Sequence, residues 1–356
     1  MAALAHADRD AGQRPVPWRR MVWVTWRQHR LALAGLVALY GIASIFVLAN
    51  GLQMHGAYAA VTSCRPAGSF ACEQLALDFL NTYAPAVTGT AFLLQFLPAV
   101  VGVFIGAPLL ARELETGTFR YAWTQGFGRT RFTVAKLVLL AVAVTAMAGA
   151  FSFLVSWYIQ PATGAMGHSN LLDVMDPTIF DLLGVAFAAW TLAAFAIGAA
   201  AGVLIRRAVP AMVVTLVAWA GLILFTGGFL RQRYIEPATT PIIEPSQSAI
   251  DRIHGLILGF EWARGGKQVS LSAINEVLRA VHVRAVGPFS FEPTGPRPFT
   301  LVNPFVYLRQ HGFSLEVIYQ PDSRFWTFQW IEAGWLLALA LLLLAATVWL
   351  VRRRAA

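Results

Sequence analysis

Few residues in this 356-residue chain have types and spacing that could do chemistry. The densest group is the run Ala111–Phe132, A-R-E-L-E-T-G-T-F-R-Y-A-W-T-Q-G-F-G-R-T-R-F, where Glu113 and Glu115 stand between Arg112 and Arg120 and precede Gly117. Carboxylates interleaved with guanidinium groups form no acid–base pair for catalysis. They form a surface that selects a partner by register and by sign of charge. The aromatic segment between Gly117 and the Gly126/Gly128 pair would be a short helix between hinges, seated in a groove of another protein. The plain alternative is a solvated loop.

Cys64 and Cys72 are the only cysteines and fall within one connection between apolar blocks. A bridge closing so short a loop would stabilise by roughly 2–3 kcal/mol in the chain-entropy view, provided the loop faces an oxidising compartment. That pairing is favoured over two free thiols. His254, His282 and His311 are scattered without the spacing of a zinc site. Gly266-Lys267 is followed by Gln268, and Glu261 stands where the first glycine of a Walker loop belongs, so no nucleotide-binding loop is encoded there.

The elements that position these residues follow from composition. The chain is 57% hydrophobic and only 13% charged, whereas soluble domains carry about a quarter charged residues. A single water-soluble core is excluded. Six apolar blocks stand out, near Leu31–Asn50, Val87–Ala111, Val134–Ile159, Ile179–Ile205, Val209–Leu230 and Trp330–Val351. About 20 residues cross a hydrocarbon core, so the spacing predicts six transmembrane helices. Pro98 and Pro108 interrupt the second, which membrane helices tolerate when neighbours satisfy the freed backbone groups. No cleavable signal peptide is evident, because the first block is too long for one.

The net charge of +9 sits mostly at block edges, which favours membrane topology over nucleic acid. Segments 1–30, 112–136, 206–207 and 352–354 hold sixteen Lys or Arg, while connections 51–86 and 160–178 hold only Arg65. The positive-inside rule then predicts both termini in the cytoplasm. Lys136 and Lys267 are the only lysines, a codon bias that suggests a GC-rich bacterial genome.

In Pro17–Arg30, Trp18 and Trp26 share one helical face with Met21, Val22 and Thr25, while Arg19, Arg20, Arg27 and Arg30 lie opposite with Trp23 among them. That is the pattern of a helix lying in the headgroup plane. It reads equally as a lever toward the first span or as a topology anchor. Residues 231–329, rich in proline, read as an extracytoplasmic subdomain with a helical pattern over Ser270–Val283, and Phe325, Trp326, Phe328 and Trp330 as an interfacial aromatic belt. The apolar interiors are read as free of Asp, Glu, Lys, Arg and His, with Asp181 at the outer end of the fourth block. Such groups at depth mark ion-driven carriers, so their lack argues against one. Gln95 either lines a path or bonds a neighbouring helix, and the second is preferred. Ala194, Gly198 and Gly202 are spaced for close helix packing.

The order of these motifs resembles the permease subunit of an ABC transporter of the type-2 exporter class. Arg112-Glu113-Leu114-Glu115-Thr116-Gly117-Thr118 is similar to that family's R-E-x-E-x-G-T signature after the second span. Trp23–Arg30 (W-V-T-W-R-Q-H-R), Arg120–Gln125 (R-Y-A-W-T-Q) and Tyr319–Glu332 (Y-Q-P-D-S-R-F-W-T-F-Q-W-I-E) look like an actinobacterial branch of it. The likeness runs from about Pro17 to Arg354. It implies an all-α integral membrane protein with an interface helix and tail over 1–30, five spans over 31–230, an extracytoplasmic subdomain over 231–329, and the last span with a basic tail over 330–356. Arg112, Glu113, Glu115, Gly117 and Arg120 would then couple to an ABC ATPase subunit, and Trp18, Arg19, Arg20, Trp23, Trp26 and Arg27 would form the interface helix. The permease itself is then no enzyme and carries no cofactor. ATP and Mg²⁺ belong to the partner subunit, and the working unit is a homodimer or a pair with a second permease in a bacterial plasma membrane. No nucleic acid is involved. Two other classes compete: a membrane-embedded enzyme, and a secondary transporter or scaffold without an ATPase.

Overall fold

A computed structural model describes residues 18–66, 68–116, 129–165, 173–242, 250, 253–295 and 303–354. Among them, six helical stretches are long and apolar enough to cross a membrane: Arg30–Ser63, Phe70–Thr116, Thr133–Gly164, Ala186–Ile205, Ala208–Arg233 and Asp322–Arg353. The protein is a multi-pass, all-α membrane protein in its spanning part. Most stretches run past the expected blocks, because helices continue beyond the hydrocarbon core into polar sequence.

Helix α1 (Trp18–Ser63) has no break near Leu31. The segment expected to form a separate interface helix is the first part of the same helix as span one. No Gly or Pro lies between Trp18 and Ala34, so nothing in the backbone interrupts the hydrogen-bond ladder. Span two is broken before Pro98, as expected, but helical backbone runs through Pro85 and across Pro108, which was also expected to interrupt it. It consists of α2 (Phe70–Leu94), α3 (Leu97–Val101), a π-helical turn (Gly102–Gly106) and α4 (Ala107–Thr116). Pro98 lacks an N–H and opens α3. At the break, Gln95 Nε2 donates to Pro177 O at 3.2 Å, so its amide bonds a neighbouring segment.

Helix α5 (Arg129–Gly164) carries span three, α6 (Pro177–Phe180) is a single turn, and α7 (Ala186–Ile205) is span four. The fourth block was expected to be helical from Ile179. Instead the chain turns at Asp181–Val185, where Gly184 adopts φ +57°. A Cβ at Gly184 would fall 2.7 Å from Gln329 Oε1, so both the backbone angle and the space there call for glycine.

Helix α7 is the central post, with 72% of its apolar window buried against 17% for span five. Its small residues allow this. A Cβ at Gly102 would lie 2.6 Å from Ala194 O, one at Gly106 2.6 Å from Phe195 O, and one at Gly198 2.7 Å from Ala107 N. Spans two and four therefore meet backbone to backbone. Span five is α8 (Ala208–Phe225), a π-helical turn (Thr226–Leu230) and a 3₁₀ turn (Arg231–Arg233).

The subdomain contains a sheet that the sequence pattern did not reveal. Strands β1 (Ala238–Ile242), β2 (Gly255–Arg264), β3 (Lys267–Gln268) and β6 (Phe313–Pro321) form an antiparallel sheet in the order β1-β6-β2-β3. A hairpin of β4 (Val283–Ala285) and β5 (Phe291–Pro293) stands beside it. Helices α9 (Leu271–Leu278), inside the expected helical segment, and α10 (Pro304–Gln310) bury Ile274, Leu278 and Leu308 against Trp262, Leu315 and Val317. Successive residues of β2 face opposite sides and so serve two cores: Ile257 packs on this one and Leu256 on the bundle, and a bulge follows between Ile257 and Gly259. Helix α11 (Phe325–Arg354) is the last span.

Candidate functional site

Two polar clusters hold the ends of the bundle, one at the end that bears the chain termini and one beneath the subdomain. At the terminal end, Glu113 leaves α4 toward the interior. Lys136, fully buried on α5, donates to Glu113 Oε1 at 2.6 Å and to Leu109 O at 3.2 Å. A buried ammonium needs such partners. Glu115 Oε2 accepts the N–H of Ala208 at 3.1 Å, the first residue of α8. A carboxylate there satisfies an orphan donor and meets the positive end of the helix dipole. Both carboxylates expected to face a partner thus tie span two to its neighbours, Glu113 to span three and Glu115 to span five. Arg112 is exposed beside them, and Gly117 and Arg120 lie outside the described residues.

The remaining expected positions divide similarly. Trp23 and Trp26 are exposed, and the Arg27 guanidinium lies 5.3 Å from the Trp23 ring centre. Trp18, Arg19 and Arg20 belong to α1, with side chains outside the described set. At the same end Arg353 lies over Trp349 at 4.6 Å, the pairing suited to a headgroup layer. Cys64 and Cys72 are bridged between α1 and α2, with Cα atoms 5.7 Å apart.

Beneath the subdomain the reading of charge-free interiors is corrected. Arg231, at the end of span five, and Glu332, on α11, are both fully buried. Arg231 Nε donates to Glu332 Oε2 at 3.0 Å and Nη2 to Oε1 at 2.8 Å, while Nη2 also pairs with Asp181. The guanidinium lies 4.3 Å from the Phe180 ring centre. Glu332 further accepts Trp190 Nε1 at 2.8 Å and Tyr234 OH at 3.3 Å, and Tyr234 OH accepts Trp335 Nε1 at 2.8 Å. One salt-bridged knot therefore joins the 181–185 turn and spans four, five and six. Beside it Gln329 caps the start of α7: Oε1 accepts Ala186 N at 2.9 Å and Nε2 donates to Phe180 O at 3.0 Å.

Neither cluster places a nucleophile beside a base, and no group of three His, Cys, Asp or Glu among the described residues could hold a metal. What the knot can do is mechanical. A desolvated ion pair adds little net stability, yet costs several kcal/mol when one partner is withdrawn, so it favours a closed arrangement or a fully parted one. Sequence reasoning missed Lys136, Arg231 and Glu332 because each stands at a block edge, where snorkelling or positive-inside bias accounts for a charge. The available signal was spacing: Gln329 and Glu332 fall on the helical face of Phe328, Leu336 and Ala340, all buried.

The family model described as ABC-2 membrane transporter related matches residues 33–231, more than half of the chain. The match covers the first five spans and ends at Arg231, so Glu332 and the subdomain lie outside it. No curated protein and no solved structure matches the chain. A polytopic helical bundle matched over five of its six spans by a transporter-related family has one assignment: the chain belongs to the ABC-2 membrane transporter related family, as an ABC-2 type permease.

Proposed function

We propose that this chain is the membrane-spanning subunit of an ATP-driven exporter that moves an amphipathic or hydrophobic substrate outward. A separate ABC ATPase binds ATP and Mg²⁺, and two permeases, identical or paired with a second kind, assemble with two ATPases. In this reading the protein sits in a bacterial plasma membrane, with both termini cytoplasmic and the subdomain outside. The segment after Thr116, including Gly117 and Arg120, docks on the ATPase.

The observation that supports this most is the anchoring of span five at both ends. Glu115 holds its first residue, and Asp181 with Glu332 holds Arg231 at the other end. Span five buries little of itself in the bundle, so it can shift as a rod. Movement of the docked segment drags α4, and with it Glu113 and Glu115. Span five transmits the pull to Arg231, and parting of the Arg231–Glu332 pair opens the outer ends of spans four to six. The apolar walls of the bundle suit an amphipathic cargo.

The test is co-purification. Tagged protein is extracted from its native membrane in mild detergent and its companions are identified. A stoichiometric subunit with Walker motifs is expected. A clean preparation without any ATPase sinks the proposal.

A further inference from the structure

Arg231, Asp181 and Glu332 share one dry site, with side-chain exposures of 1%, 7% and 0%. Asp181 lies in the turn before span four, and the other two come from spans five and six. A single nitrogen, Nη2, serves Asp181 Oδ1 and Glu332 Oε1 together, so the two carboxyl groups meet across it. Among the described residues, the charged groups facing Asp181 are Arg231 and Glu332, with the Tyr234 hydroxyl on Glu332. Asp176, the cap of α6, is spent on Thr178. Arg233 lies over Phe229 at 3.6 Å, and span three contributes Ser152, whose hydroxyl donates to Leu182 O and Gly184 O. Two carboxyl groups thus stand against one cation.

With both carboxyls ionised the site would carry a net negative charge, which is expensive away from water. One bound proton removes it. Hydrogen-bond accounting places that proton. Glu332 already receives Arg231 Nε and Nη2, Trp190 Nε1 and Tyr234 OH, so a proton there would displace a donor. Asp181 receives only the shared Nη2, and once protonated it can donate to Glu332 while still accepting from Arg231. Burial pushes the Asp181 carboxyl up to about 7 against the pull of Arg231, and Glu332 adds to the rise. We propose that the knot is a proton-binding site: closed, it holds one proton on Asp181, and parted, it gives that proton to water. The proposal rests on the permease reading only in taking this parting as the outward-opening step. With the subdomain outside, the proton then exchanges with the outer medium, and a more alkaline medium loosens the latch. Because the closed knot holds Asp181 above its ordinary 3.8, the stabilisation is complete below that value and is lost as pH rises through about 7. The closed state should weaken about tenfold between pH 6 and pH 8.

The proton can be read without any ATPase, so failure here and failure of the exporter reading are separable. The full chain in detergent is followed by infrared spectroscopy as pH is raised from 6 to 8. The carbonyl band of protonated carboxyl groups should lose intensity over this range, and the part that Asp181→Asn removes should shift when aspartate carries ¹³C at its side-chain carboxyl. Glu332→Gln should remove the same part, because Asp181 then takes the cation alone and stays ionised. Asp181→Asn should fold, since its amide accepts from Nη2 and donates to Glu332 as the protonated acid does. Its thermal midpoint should gain on that of the parent protein between pH 6 and pH 8. A band unchanged in Asp181→Asn or in Glu332→Gln overturns the proposal, as does one that ignores the aspartate label. Failure of Asp181→Asn to fold, or midpoints that move in parallel with pH, overturns it equally.

Discussion

Lys136 grips Glu113 from inside the bundle at 2.6 Å, so this carboxylate is turned inward from the surface where its sequence context placed it. Its loss strands a buried cation. Glu113→Ala should destabilise the protein by about 3–5 kcal/mol, read as a lower thermal midpoint in detergent, and Glu113→Leu with Lys136→Met should recover most of the loss. Glu115 is exposed and gives up one helix-end bond, so Glu115→Ala should cost about 1 kcal/mol. Equal midpoints for Glu113→Ala and the parent protein would contradict the pairing. Partner contact is better tested at exposed Arg112, whose reversal leaves these bonds intact.

The knot beneath the subdomain should behave as a unit. Arg231→Gln leaves two carboxyl groups in a dry site without their cation and should lower the midpoint by several degrees, for a loss of about 3 kcal/mol or more, whereas Glu332→Gln leaves Arg231 paired with Asp181 and should cost less. The triple change Arg231→Met, Glu332→Leu, Asp181→Asn removes all three ionisable groups together and should be milder than Arg231→Gln alone. Hydrogen exchange gives a second check: amides of 231–236 should open faster in Glu332→Gln, while those of Ala208–Phe225 keep their rates.

The contact between spans two and four forbids side chains. Gly198→Val must push Gly102 and Ala107 of span two away from span four, because even a Cβ there meets Ala107 N at 2.7 Å. Yield of folded protein by size exclusion should fall sharply. Gly41 has nothing within 4 Å of an added Cβ, so Gly41→Ala should match or exceed the parent, helped by about 0.5–1 kcal/mol of helix propensity.

The Cys64–Cys72 bridge closes a loop with a sequence separation of eight and should contribute roughly 2–3 kcal/mol. An impermeant maleimide applied to intact cells should label neither cysteine until a reductant is added. Labelling without reductant would place the loop in a reducing compartment and invert the orientation proposed above.

The spans were legible because hydrophobic length is a one-dimensional property. Proline at 98 marked the break in span two, and the spacing of Ala194, Gly198 and Gly202 marked the seam, although their partners Gly102 and Gly106 became visible only once the two helices were laid together. The sheet was hidden for a physical reason. Strand β3 has two residues, β4 and β5 three each, and β2 changes face at its bulge. Strand β6 does alternate, with Phe313, Leu315 and Val317 buried around Ser314 and Glu316, but a single such run does not reveal a sheet. The ionic knot was hidden more deeply. Asp181, Arg231 and Glu332 are 50 and 101 positions apart in sequence, and each alone looks like an ordinary charge at a membrane edge. Trp190 and Tyr234 carry no mark in the sequence of their hydrogen bonds to Glu332, nor Trp335 of its bond to Tyr234 OH.

The subdomain enters and leaves through one pair of antiparallel strands. Ala238 pairs with Tyr319 in register, and just below them Gln320 Nε2 donates to Ile235 O at 2.8 Å while Arg324 reaches Glu236 O. Some 80 residues therefore hang from a stem whose two sides already touch, the geometry of an inserted module. Its excision with a short turn across the stem would sever no span and leave Arg231 and Glu332 facing each other. The module can in this way be lost, exchanged or enlarged in evolution while the helical bundle beneath it stays whole.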